Sequence, residues 1–330
     1  MEGLRGFAVA LVFLVHYVSL AGTTAPVAGA MHTIGNSGVD LFFVLSGYLI
    51  YGSLMRRPQR FGSFMARRVE RIYPAFLAVF AVYLALSLAM PAHSKIPDEG
   101  AAAYLLANVL LLPGIFPIEP MITVAWSLSY EMFFYLLAPI VVAGARLRER
   151  SRPTRVLLLS LLGAAYAGYC LSAGGHPRLL MFVAGMLLHE AIDARRAAPS
   201  VGITLAVLAL SLGNLLIPSS PTLHVLGMMA GFGLLCWSCF QGGPLAAVFS
   251  VTPLRWLGNM SYSYYLLHGL ALHAAFVLIG PIDGLRFWLA LPVVFAWTVL
   301  PCAVLYLLIE RRFSLGPHVS PPSIAVRDAA

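Results

Sequence analysis

Residues 1–20 read MEGLRGFAVALVFLVHYVSL, an apolar run broken by two basic side chains, Arg5 and His16. The run is long enough to enter a bilayer. Eleven residues at about 100° each return a helix to nearly the same azimuth, and at ~1.5 Å per residue they separate the two groups by roughly 16 Å. Arg5 is thus expected near one membrane surface, with His16 on the same face about three turns deeper. An ionisable group inside hydrocarbon costs about 2.5–3.5 kcal/mol on insertion scales, which makes His16 a candidate chemical group. The competing reading is a histidine that hydrogen-bonds one helix to another.

Working outward, the 330 residues are 60% hydrophobic and 10% charged. Soluble domains average roughly 45–50% and 25%. With repeated apolar runs near twenty residues, the composition excludes an ordinary soluble domain and points to a polytopic membrane protein. The opening also resembles a secretory signal, with a basic residue, an apolar core and then small residues. Cleavage would discard Arg5 and His16 and leave an unpaired first helix, so a membrane span is the preferred reading. The four cysteines all fall in apolar segments. Cys236 and Cys239 form a C-x-x-C without further ligands, which reads as buried thiols rather than a metal or redox site. No metal is expected.

Ten spans are predicted, at about 4–21, 38–55, 72–90, 124–144, 155–173, 178–194, 201–217, 222–240, 260–279 and 286–309. Charge placement tests that map. With the N-terminus cytoplasmic and sides alternating, the inner segments collect Arg5, Arg56, Arg57, Arg60, Arg67, Arg68, Arg71, Arg146, Arg148, Arg150, Arg152, Arg155, Arg195, Arg196, Arg255, Arg311, Arg312 and Arg327. Of the 21 basic residues only Lys95, Arg178 and Arg286 fall outside. The fold expected is therefore an all-α transmembrane bundle of about ten helices with both termini cytoplasmic. The net charge of +8 is largely topology and not a nucleic-acid footprint. The membrane domain is expected over 1–313, followed by a short, disordered cytoplasmic tail at 314–330.

Three further stretches carry candidate chemistry. GVDLFFVLSGYLI at 38–50 holds Asp40 near the external surface and Ser46 near the middle; Asp40 caps a helix N-terminus or faces a substrate. The segment RRPQRFGSFMARRVERIYP at 56–74 sets Arg67, Arg68 and Arg71 within one or two turns, with Tyr73 entering the membrane. The planar fork of arginine suits phosphate oxygens, whether of a soluble ligand or of anionic lipid headgroups. In WSLSYEMFFYLLAP at 126–139, Glu131 lies about 10 Å below the external boundary, with Ser127 and Tyr135 at i±4. His16 reaches a similar depth from the other side, so Glu131 is expected to meet and orient it. Trp126 and Ser129 open the same helix. On WLGNMSYSYYLLH at 256–268, His268 lies shallower and is expected to line a ligand or bond helices together.

Together these pieces resemble the acyltransferase-3 family of integral membrane O-acyltransferases. The matching segments are LRGFAVALVFLVH at 4–16, GVDLFFVLSGYLI at 38–50, RRVERIYP at 67–74, WSLSYEMFFYLLAP at 126–139 and LGNMSYSYYLLH at 257–268. They occur in the family's order and cover most of the chain, and the resemblance implies the stand-alone form, in which no fused hydrolase-like domain is expected. Where the family shows two acids, Met132 follows Glu131. The resemblance implies a bacterial inner-membrane enzyme moving an acyl group, commonly acetyl, from cytoplasmic acyl-CoA to a hydroxyl of a glycan, a glycolipid or a small molecule such as a macrolide. On it, His16 carries over as the base, Arg5 as its motif partner and Glu131 as an important acid. Arg67, Arg68, Arg71 and Tyr73 carry over as the region binding CoA phosphates. Asp40, Ser46, Trp126, Ser129 and His268 are the substrate-side candidates. The base could take the hydroxyl proton directly or carry the acyl group itself. From another class, His16 and Glu131 could form the relay of a proton-coupled transporter.

Overall fold

The structure is a computed structural model, and it describes residues 1–23, 27–194, 197 and 199–314. Arg195, Arg196, Arg327 and the 315–330 tail lie outside the described residues. Among the described residues every regular element is helical. In chain order the α-helices are α1 (Glu2–Ala21), α2 (Ala28–Asn36), α3 (Gly38–Arg56), α4 (Phe61–Ala89), α5 (Ala101–Val109), α6 (Trp126–Gly144), α7 (Arg152–Ala173) and α8 (Leu180–Asp193). They continue with α9 (Val201–Leu215), α10 (Pro221–Phe240), α11 (Pro244–Phe249), α12 (Thr252–Asn259), α13 (Ser261–Ile279), α14 (Gly284–Leu305) and α15 (Arg311–Ser314). A π turn, Tyr306–Glu310, joins the last two.

Eight helical segments among the described residues are long and apolar enough to cross a membrane. All ten expected spans are helical, but three differ in length from the expectation: α4 starts at Phe61, eleven residues before the expected start, and α8 and α9 are short. α8 and α9 have 14 and 15 residues, about 21–22 Å each at 1.5 Å per residue, against a hydrocarbon core of ~30 Å. The sequence blurred them because the apolar run continues past the helix end, through Leu216 and Ile217 after α9. The multi-pass bundle is the architecture expected; ten full-length crossings are not.

Local chemistry sets several of the ends. Gly22 closes α1 in the left-handed conformation, φ 65°. The Ser220 hydroxyl accepts the Leu223 amide and Pro221 opens α10, a proline start whose missing N–H costs nothing.

α3 and α8 form the most extensive helix pair. A Cβ on Gly47 would sit 2.2 Å from the Phe182 carbonyl oxygen, and one on Gly185 would sit 2.1 Å from that of Val44. Only glycine lets these backbones touch, which is how helices gain contact where lipid offers no hydrophobic drive. Beneath them a charged cluster closes the α3, α7 and α8 ends. Glu190, wholly buried, accepts from Arg155 Nε at 2.7 Å, Arg155 Nη2 at 2.8 Å and the Tyr51 hydroxyl at 2.5 Å. The core divides into a large apolar cluster spanning α3, α4, α6, α8 and α10, and a smaller one between α1, α13 and α14. Phe42 and Leu267 pack against both, and the site lies along this seam.

Candidate active site

α1 and α13 run side by side in the same direction. At one level Arg5 Nε donates to the Ser261 hydroxyl at 3.0 Å; further along, the rings of His16 and His268 stand 5.0 Å apart, centroid to centroid. α3, α4 and α6 complete the wall opposite Arg5, enclosing about 100 Å³ of free space.

Arg5, Arg68, Arg71 and Glu131 line this cavity together. The Glu131 carboxylate accepts from Ser46 Oγ at 2.9 Å and from the Tyr135 hydroxyl one turn along. Arg68 lies over the Phe64 and Tyr135 rings at 5.7 and 5.9 Å, and its Nε is buried without a hydrogen-bond partner. The second acid in range is Glu310, on the π turn. It accepts from the Ser263 amide at 2.9 Å and the Ser263 hydroxyl at 2.5 Å while acting electrostatically on Arg5 and Arg71. Three guanidiniums thus face two carboxylates that are already bonded elsewhere. A buried guanidinium lacking an acceptor is costly, and an anion would satisfy it.

At the other end of the cavity, Tyr265 and Phe42 stand on its wall with their rings 6.1 Å apart. Tyr265 donates to the Val124 carbonyl at 2.9 Å, shares a 2.6 Å hydrogen bond with Ser127, and packs against His268 at 6.2 Å. The two histidines therefore lie just past this aromatic pair.

The expected meeting of His16 with Glu131 does not occur. Glu131 sits at the Arg5 end, and the titratable group acting on His16 besides His268 is His32 of α2. The depth estimate failed because it counted both residues from flat span edges, whereas helices enter the bundle at different heights. Ser46, expected near the middle, is the partner of Glu131. His268, expected to be shallow, is level with His16 and fully buried.

The remaining candidates fall outside the cavity wall. Arg67 is exposed and bonds to Gln59 at the rim; Tyr73 donates to the Val109 carbonyl at 3.1 Å. Asp40 caps nothing; it faces Arg178 Nε at 3.6 Å, and the Arg178 guanidinium lies over Trp126 at 5.2 Å. Ser129 ties its helix to the Pro113 carbonyl. Sequence reasoning missed Arg178, Glu310, Tyr262 and Tyr265 as neighbours of the site. Arg178 had left a signal: it is one of three cations that defy the inner bias, and a buried carboxylate explains it.

Fold and site thus define a polytopic membrane protein with a cationic cleft leading to paired imidazoles. Residues 1–307 match the acyltransferase-3 family, described as an acyltransferase domain, and the chain belongs to it. The chain is 28% identical over 270 residues to the exopolysaccharide production protein ExoZ of Rhizobium meliloti, covering 74% of this chain and 78% of that one. It is 29% identical over 289 residues to a protein of Komagataeibacter xylinus provisionally named membrane-bound transacylase BcsY, covering 81% and 71%. It is also 32% identical over 173 residues to the O-acetyltransferase OatA of Staphylococcus aureus, covering 48% of this chain and 26% of that one. No solved structure matches the chain.

Proposed function

We propose that this acyltransferase moves an acyl group, most simply acetyl, from cytoplasmic acyl-CoA to a hydroxyl of a glycan or glycolipid, with His16 as general base. One observation carries the reading: three arginines converge on a narrow cavity, and the buried Arg68 Nε has no acceptor. That arrangement fits phosphate chemistry and a thin pantetheine-like arm better than it fits a bulky ligand. The nucleotide end would rest at the exposed rim around Arg67. Arg68, Arg71 and Arg5 would hold phosphate oxygens, and the bound co-substrate supplies the acyl thioester.

The chain's own residues divide the work. Arg5, anchored by Ser261, keeps one guanidinium at the narrow end of the cavity. Glu131, held by Ser46 and Tyr135, balances the cationic wall without neutralising it. Tyr265 and Phe42 would line the passage from the cavity to the imidazole. His16 takes the proton of the acceptor hydroxyl as its oxygen attacks, a task suited to imidazole near neutral pH. The glycan class draws support from the relatives named for exopolysaccharide production and O-acetyl transfer. A His16–Glu131 proton relay draws none, because Glu131 is bonded to Ser46 and Tyr135.

Thermal stabilisation of the purified protein by acetyl-CoA tests the reading, since a ligand that binds only the folded state must raise its stability. Wild type and His16→Ala should shift, whereas the Arg68→Ala/Arg71→Ala double variant should not. If no acyl-CoA of any chain length shifts wild type, the donor assignment fails.

A further inference from the structure

The second histidine is held in a way that bears on the first. His268 is fully buried, and its Nδ1 lies 2.9 Å from the carbonyl oxygens of both Tyr264 and Tyr265. A backbone carbonyl only accepts, so Nδ1 must carry the hydrogen. In the neutral ring that leaves Nε2 with a free lone pair. This Nε2 is buried and has no partner, in a ring stacked on Tyr264 at 5.3 Å and tilted 9° from it. A buried acceptor left unmade is costly, and such orphans call for an explanation.

The imidazole packed beside it is His16, at 5.0 Å between centroids and 55° between planes. Two imidazoles joined by one N–H···N bond of ~2.9 Å stand about 5 Å apart between centroids, which is the spacing found here. His16 needs such a partner. No carboxylate acts on it among the described residues, where other histidine bases are oriented by an acid.

We propose that His268 is the positioning residue for His16: its Nε2 accepts the His16 N–H and turns the other His16 nitrogen, lone pair outward, toward the acceptor hydroxyl. This rests on His16 being the base. In the reaction the hydroxyl O–H breaks, its proton passes to the outward nitrogen of His16, and the oxygen forms the new bond to the acyl carbon. The C–S bond breaks, and the same proton leaves on the departing sulfur. His268 exchanges no proton; it holds the tautomer, and it partners the imidazolium while the charge exists.

Two substitutions separate this from a packing role. His268→Asn keeps a donor where Nδ1 was, bonded to the Tyr264 and Tyr265 carbonyls, but offers nothing at Nε2. His268→Gln returns an acceptor oxygen at the Nε2 position. Acyl transfer is measured together with the rate at which diethyl pyrocarbonate carbethoxylates His16, followed by peptide mass spectrometry. For His268→Asn we expect kcat to fall at least a hundredfold with both KM values within threefold, and carbethoxylation of His16 to slow at least threefold. His268→Gln should recover most of both. Equal His16 reactivity in all three proteins overturns the proposal, as does a folded His268→Asn that keeps kcat within threefold. If wild type transfers no acyl group from acyl-CoA but His16 reactivity follows the pattern, the pair stands and the donor assignment falls.

Discussion

Two charged clusters occupy this bundle, and they are finished differently. Around Glu190 both carboxylate oxygens are engaged, by Arg155 through two nitrogens and by Tyr51, with Arg152 3.9 Å away. Around Arg5, Arg68 and Arg71 no ion pair closes among the described residues, and a buried nitrogen waits without an acceptor. The first cluster saturates its acid and holds helix ends together, although Arg152 Nε is left buried without a hydrogen bond. The second is satisfied only by something that arrives. Buried charge in this bundle marks structure where an arginine saturates the carboxylate, and function where cations line a cavity with no ion pair closed.

The sharpest way to break this comparison is at its extremes. His16→Ala should lower acyl transfer by about 10²–10⁴-fold, the range for losing a general base, while leaving stabilisation by acyl-CoA intact. Glu190→Gln should do the reverse. Breaking a buried ion pair costs about 3–5 kcal/mol, so detergent melting should fall by several degrees while transfer per folded molecule stays near wild type. If Glu190→Gln instead abolished turnover with little change in melting, the two clusters would have been assigned the wrong way round. Arg68→Lys keeps the charge but loses the fork. It should weaken acyl-CoA binding about tenfold, roughly 1.4 kcal/mol, read from titrated thermal shifts. Arg67→Ala, at the exposed rim, should change that affinity by less than about threefold, because exposed pairs contribute ~0–1 kcal/mol.

Much of this could be read in the chain before any coordinate. The apolar runs gave every helix that spans the bundle, and the eleven-residue step from Arg5 to His16 put both on one face of α1, where α13 meets them. Spacing within one helix is dictated by local geometry, so it survives. Relations between helices are not. Whether Glu131 reaches His16 depends on the height at which α6 begins and on which face of α6 turns inward; neither is a local property. Glu310 escaped for a related reason. It stands at the inner end of an apolar run and reads as boundary, until a π turn presents it to Ser263. Arg178 was visible as an exception to the charge bias, but its partner, Asp40, lies 138 positions away. The lengths of α8 and α9 were hidden because hydropathy measures what a segment avoids, not where its hydrogen bonds stop.

The glycine contact between α3 and α8 has a bearing on how such a site can drift. At Gly47 and Gly185 the two helices meet backbone to backbone, with no side chain between them to vary. Ser46, the donor to Glu131, is the very next residue. The dimension that sets this wall is therefore a datum fixed by peptide units, as a machinist sets parts against a bare metal stop. Substitutions on the outer faces of these helices can accumulate without detuning it. One added methyl at the stop would shift a whole helix, and with it the tolerance to which the carboxylate is held.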